Sequence, residues 1–296
     1  MKLQRKSMVS LIISMILFGT IGLFVSNISL SSSVIALMRA VGGFLFLLSV
    51  VFIKRERLAI TAIGKNLLWL CLSGTFLGFN WILLFEAYRY TSVAVATLCY
   101  YMAPIFVVIA SPFILKEKLS AQKVICIGVS LIGMVLISGI FPQGIQELTE
   151  LTGILLGLSA AALYASITLL NKKMVGLPAY DRTLFQLGFS GVIMLLYCLL
   201  TTDIFAALSG LDMTGWLLLT IVVIVHTGIS YYLYFGSLSN LPAQSIAMIS
   251  YIDPVVAIIC SVVIMLQIPT LGEGIGAILI LCAAVFSELS FGKQVK

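Results

Sequence analysis

Charge is what this 296-residue chain has least of: Asp, Glu, Lys and Arg together make up 9% of it, with only 11 acids and a single histidine. Soluble domains carry about a quarter charged residues, so a chain that faces water over most of its surface is excluded. Several site signatures are missing as well. No stretch resembles a P-loop, a TVGYG selectivity filter or a cluster of metal ligands. ATP-driven pumping, potassium-type conduction and a metal or cofactor site are therefore without support. The six cysteines, Cys71, Cys99, Cys126, Cys198, Cys260 and Cys282, show no CxxC spacing. Neither a disulfide framework nor a metal site follows from them, and packing is their expected role.

In place of charge there are long apolar runs. Hydrophobic residues make up 61% of the chain and the mean hydropathy is +1.18. A spanning helix needs about 20 predominantly apolar residues, and such stretches fall at 8–26, 33–53, 66–88, 92–114, 122–140, 151–171, 182–201, 214–236, 243–265 and 272–290. The reading is an all-α membrane protein with ten transmembrane helices. The N-terminus has the basic-then-apolar order of a secretory signal but no small-x-small cleavage site, and is read as a retained first helix.

The positive charge is placed asymmetrically. With a cytoplasmic N-terminus, every Lys and Arg except Arg39 and Arg89 falls at the cytoplasmic side, while Glu147, Glu150, Asp203 and Asp212 lie in outer loops free of Lys and Arg. This positive-inside pattern sets both termini in the cytoplasm of a cell-membrane protein, and it accounts for the net +6 without a nucleic-acid partner.

Sliding the chain by 150 residues aligns 78–114 with 228–264 and superposes Gly78 on Gly228, Phe85 on Phe235, Tyr101 on Tyr251 and Pro104 on Pro254. Two repeats follow, 1–146 and 147–296. Each holds five spans, an odd number, so the second copy enters the bilayer inverted. The charges agree: Lys116-Glu117-Lys118 becomes Leu266-Gln267-Ile268 in the second copy. Inverted repeats are a signature of secondary transporters that bind solute near the midplane.

The run "GFNWILLFEAYRYTSVAVATLCYYMAPIFVVIASPFILKEKLSAQKVICIGVSLIGMVLI" resembles the EamA domain of the drug/metabolite transporter superfamily. A glycine-containing helix leads to an A-Y-x-Y-T-S turn, a proline-bearing helix, a K-E-x-L-S segment and a small-residue helix. "GSLSNLPAQSIAMISYIDPVVAIICSVVIMLQIPTLGEGIGAILILCAAVF" is the weaker second copy. Gln267 stands where that copy usually has glutamate, and Cys126 where the first usually has glycine. The resemblance implies a five-plus-five inverted-repeat fold and movement of small polar metabolites.

The candidate site residues are few. Proline removes a helical hydrogen bond, so Pro104 would release the carbonyl of Tyr100 and Pro254 that of Ser250, loosening two symmetry-related helices around a cavity bounded by spans 1, 3, 4, 6, 8 and 9. An intramembrane acid is a functional hypothesis by default, and Asp253 lies about ten residues into span 9. Burial favours the neutral form of a carboxyl, which suits a proton carrier, whereas a wet cavity would suit cation binding. His226, at similar depth in span 8, could form a relay with it. Trp81, Tyr100, Tyr101 and Tyr251, with Asn80, would shape the site by stacking, cation-π attraction and hydrogen bonding. Arg39 and Glu86 near the outer ends of spans 2 and 3 suggest an ion-pair latch. The expected protein is a secondary active transporter of an amino acid, amine or drug-like solute, acting by alternating access with protons as coupling ion, as a monomer or homodimer. Two competing readings are kept. "GFSG" at 188–191 matches the Gly-x-Ser-Gly of rhomboid-type proteases, with Ser190 and His226 as the dyad. The other is a non-transporting membrane protein.

Overall fold

A computed structural model describes residues 2–55, 57–114, 121–137, 148–238, 241, 249–250 and 252–288. In chain order these hold α1 (Lys2–Val25), α2 (Ser32–Lys54), α3 (Ile60–Lys65), α4 (Leu67–Tyr90), α5 (Val93–Tyr100), α6 (Ala103–Ile114), α7 (Ala121–Ile137) and α8 (Leu148–Lys173). There follow α9 (Ala179–Thr201), α10 (Ile204–Ser209), α11 (Met213–Val223), a π-helical segment (Ile224–Ile229), α12 (Ser230–Leu238), α13 (Ile252–Ile259), a second π-helical segment (Cys260–Ile264) and α14 (Leu271–Glu288). No strand occurs among the described residues.

Backbone polarity explains why helices prevail: in hydrocarbon every N–H and C=O must be paired within the segment, and a helix does this alone. Short polar side chains close the ends. Ser92 starts α5 by accepting from the Val95 N–H at 3.1 Å. Asp203 and Asp212 cap α10 and α11, accepting from Ala206 N–H at 2.9 Å and Gly215 N–H at 2.8 Å.

Seven helical stretches are long and apolar enough to cross a bilayer: Gln4–Val25, α2, α4, Val93–Ile114, Thr149–Lys173, α9 and Met213–Ser237. Val124–Leu136, Ile252–Ile264 and Gly274–Ala283 are shorter apolar helices. The outward faces carry large apolar side chains, among them Phe52, Ile53, Leu200 and Phe205, each more than two-thirds exposed. Patches of this kind rarely face water and are the surface that lipid covers. The chain is a multi-pass membrane protein.

Packing follows a reciprocal scheme. α4 lies along α8, and α12 along α1; α5 and α6 lie against α8, and α13 against α1; α2 packs on α9, and α7 on α14. The Gly78/Gly228 pair obeys the same exchange. A Cβ at Gly78 would stand 2.8 Å from Met194 on α9, and one at Gly228 would stand 2.6 Å from the Phe46 ring on α2. Each glycine allows a close approach that any side chain would block. The core runs through α2, α4 and α9, with Ile35, Leu47, Phe85, Leu184, Leu187 and Met194 fully buried.

Pro104 marks a break in the helix and not merely a kink. The chain turns at Tyr101–Met102, between α5 and α6, and Pro104 is the second residue of α6. Pro254 lies within the helical stretch Ile252–Ile259. In a first helical turn proline costs nothing, because its missing N–H would have no partner there. Lys116, Glu117, Lys118 and most of the 141–150 loop lie outside the described residues.

Candidate functional site

Between the halves lies a cavity of about 410 Å³, within the usual range for small-molecule sites. α1, α4, α5, α6, α8, α12 and α13 line it, as the sequence suggests for spans 1, 3, 4, 6, 8 and 9. α2 and α9 line it too, and they bring the cations Arg39 and Arg182. No described residue of α7 or α14 is among the lining side chains.

Asp253 reaches the cavity from the first turn of α13. Its carboxyl is faced by the Tyr101 hydroxyl, with Tyr88, Tyr100 and Tyr164 close enough to feel its charge. The position depends on Gly19 of α1: a Cβ there would stand 2.5 Å from the Asp253 carbonyl oxygen and 2.7 Å from Cβ of Val256. α13 can therefore press directly on the α1 backbone. Pro104, Tyr100 and Tyr101 line the cavity with Asp253. Tyr251 lies outside the described residues.

Arg39 enters from α2 and is 3% exposed. Its guanidinium carbon sits 4.1 Å from the Trp81 ring centroid and 5.2 Å from that of Phe85. Its Nε donates to Thr227 Oγ1 at 2.9 Å. Thr227 can accept there because its hydroxyl proton goes to the Val222 carbonyl, 3.0 Å away, across the π-helical turn. A buried cation in a membrane is costly; the two ring faces and one hydrogen bond recover part of that cost.

The expected Arg39/Glu86 latch is not formed. Glu86 accepts from the Ser32 hydroxyl at 2.7 Å and lies 3.8 Å from Arg89 Nε, one helical turn away; Arg89 also donates to the Leu30 carbonyl. Glu86 is thus bound to the N-terminal end of α2 and the C-terminal end of α4, while Arg39 is drawn onto the rings of Trp81 and Phe85.

His226 does not reach Asp253's cavity. It is buried, its Nε2 lies 3.0 Å from Thr20 Oγ1, its Nδ1 lies 3.3 Å from the Ile221 carbonyl, and its ring packs on Phe24. Both ring nitrogens are engaged, which is the pattern of a histidine that joins helices. Ser190 is fully buried, and its hydroxyl has no hydrogen-bond partner among the described residues. The Ser190/His226 dyad is therefore not formed either, because His226 is committed to Thr20.

Asn80 also holds helices together. Its Nδ2 donates to the Ala160 carbonyl of α8 at 2.6 Å, and its Oδ1 accepts a long 3.5 Å bond from Tyr100, so it steadies a cavity residue without lining the cavity. At the cavity's α9 end, Gln186 Nε2 donates to Ser73 Oγ at 2.8 Å and Asn171 Oδ1 at 2.7 Å. Sequence reasoning missed three contributors. Arg182 looks like one more cytoplasmic charge, Thr227 carries no signal beyond its neighbour His226, and Gly19 is one glycine among 24.

The comparisons agree with this architecture. The profile of the EamA-like transporter family matches residues 5–139 and again 151–289. A Bacillus subtilis protein named "Uncharacterized transporter YxxF" is 34% identical over 285 residues, covering 94% of this chain and 88% of its own. An uncharacterized transporter of Archaeoglobus fulgidus is 24% identical over 96% of this chain and 97% of its own; one of Clostridium kluyveri is 28% identical over 80% and 76%. A solved crystal structure superposes with a TM-score of 0.64 at 17% identity, covering 96% of this chain and 97% of that one, and supports the fold. With two family matches that together span nearly the whole sequence, and a membrane-type helical fold around a central cavity, the chain belongs to the EamA-like transporter family.

Proposed function

We propose that this protein is a secondary active transporter that carries a small polar solute (an amino acid, an amine or a drug-like compound) across the plasma membrane by alternating access. It would have ten spans in two inverted halves, 1–146 and 147–296, with both termini cytoplasmic, and act as a monomer or homodimer. The observation that carries this reading is the 410 Å³ cavity lined by both halves and containing Asp253, Arg39 and Arg182. Charged side chains line a cavity there, in a chain whose helices carry large apolar side chains on their outward faces.

The reciprocal packing supports the inverted arrangement. Exchanging each first-half span for its second-half counterpart turns the α4–α8 contact into α12–α1, and the α8 contacts of α5 and α6 into the α1–α13 contact. Two halves related in this way can rock about a shared midplane site.

Asp253 is the candidate coupling group. It is the one acid among the described residues that line the cavity, and its tyrosine neighbours can hydrogen-bond either its neutral or its charged form. The test is flux in proteoliposomes with and without a pH gradient. Asp253→Asn should remove the acceleration that the gradient produces; gradient-dependent flux equal to wild type would refute proton coupling through this residue.

A further inference from the structure

Arg39 presents an unmet demand. Guanidinium carries five N–H donors, and here only Nε has a protein acceptor, Thr227. Among the described residues no acceptor lies within hydrogen-bond distance of the two terminal nitrogens, and no carboxylate forms an ion pair with them. The side chain is 97% buried (3% exposed) and lines the cavity. Trp81 and Phe85 lie 4.1 and 5.2 Å from the guanidinium carbon, and the paired terminal donors, without an acceptor among the described residues, are left for a planar acceptor. That fork matches a carboxylate in a bidentate arrangement.

The rest of the cavity narrows the choice. Among the described residues its charged lining comprises two cations, Arg39 and Arg182, and one carboxyl, Asp253. A solute bearing only positive charge would meet two like charges, whereas one carrying both signs can satisfy Arg39 and Asp253 together. Tyr88, close enough to feel both charges, lies in the region such a solute would occupy.

We infer that Arg39, clamped on Trp81 and Phe85, is a carboxylate-binding subsite, and that the carried solute is a small aminocarboxylate with its acid on Arg39 and its amine toward Asp253. This rests on the transport reading above and narrows it by removing simple amines and cationic drugs. The ring contacts and the Thr227 bond hold the guanidinium in place in advance, so little rotamer entropy is lost on binding.

The test uses purified full-length protein and three equimolar probe mixtures: the proteinogenic amino acids, the amines left after decarboxylation, and the acids left after deamination. Thermal unfolding and tryptophan fluorescence report binding, with Trp81 beneath the guanidinium as the local reporter. The amino acids should stabilise wild type and the amines should not. Arg39→Gln should weaken the response about tenfold or more, the scale expected for one lost charge-assisted pair, and Arg39→Lys should restore part of it. Should Arg39→Gln fail to fold, phenylglyoxal labelling of wild type, mapped by mass spectrometry, gives the same answer: amino acids should protect Arg39 and leave exposed Arg57 reactive. An equal response to amines, no response to amino acids, or an unprotected Arg39 overturns the inference. Flux in proteoliposomes separates it from its premise. Amino acids that bind at Arg39 yet never cross would refute transport and leave the subsite, whereas amines that cross independently of Arg39 would refute the subsite and leave transport.

Discussion

Gly19 controls how closely α13, and with it Asp253, approaches α1. A methyl group placed there would stand 2.7 Å from Val256 Cβ and 2.5 Å from the Asp253 carbonyl oxygen. Non-bonded carbons settle at about 3.5 Å or more, so Gly19→Ala must push α13 back by about 0.8 Å. Overpacking of this kind costs about 1–3 kcal/mol. At about 2–4 °C per kcal/mol for a chain of a few hundred residues, the unfolding midpoint in detergent should fall by about 2–12 °C. The matched control is Gly128→Ala in α7, where an added Cβ meets nothing within 4 Å. There the helix gains up to about 1 kcal/mol of intrinsic propensity, so its midpoint should hold or rise. Differential scanning fluorimetry of both variants in one detergent is sufficient. Equal midpoints for the two would refute the claim that α1 and α13 touch backbone to backbone at this point.

Other perturbations test other contacts. Thr227→Val removes the acceptor of the Arg39 Nε bond and should cost about 1.5–3 kcal/mol, as for hydrogen bonds to charged groups; a midpoint equal to wild type would show that the bond contributes nothing. Gln186→Leu breaks two contacts at once, to Ser73 and Asn171. At about 0.6 kcal/mol per interhelical bond in a membrane, the loss should be about 1.2 kcal/mol, and a double-mutant cycle with Ser73→Ala should recover about half as coupling. For orientation, single cysteines at exposed Arg57 and Ser209, in a background lacking the six native thiols, should react with an impermeant maleimide from opposite faces. Reaction from the same face would refute the proposed topology.

The helical fold was legible in the sequence because spanning a membrane leaves a long apolar imprint, and seven long stretches coincide with sequence-derived spans. The Gly78/Gly228 repeat was legible for a related reason: a close helix approach needs glycine, and each half keeps it. Asp253, Trp81, Tyr100, Tyr101 and Pro104 do meet at one cavity, since residues so unusual or so clustered in a greasy chain have few roles. What failed was pairing. Arg39 and Glu86 have opposite charge and similar depth, but depth says nothing of azimuth around a helix, and the rings of Trp81 and Phe85 compete for the guanidinium. His226 failed in the same way, since its partner Thr20 lies 206 residues away in the chain.

Both π-helical segments among the described residues, Ile224–Ile229 and Cys260–Ile264, belong to the second half; the corresponding stretches of α4 and α6 are ordinary α-helix. If swapping the conformations of the two halves is what turns the cavity from one compartment to the other, this mismatch means the two end states are not energetic mirror images. With no gradient applied, the empty carrier would not rest equally between inside and outside. Straightening the wide turn at Ile224–Ile229 would then shift that resting preference, and with it the side from which solute is first captured.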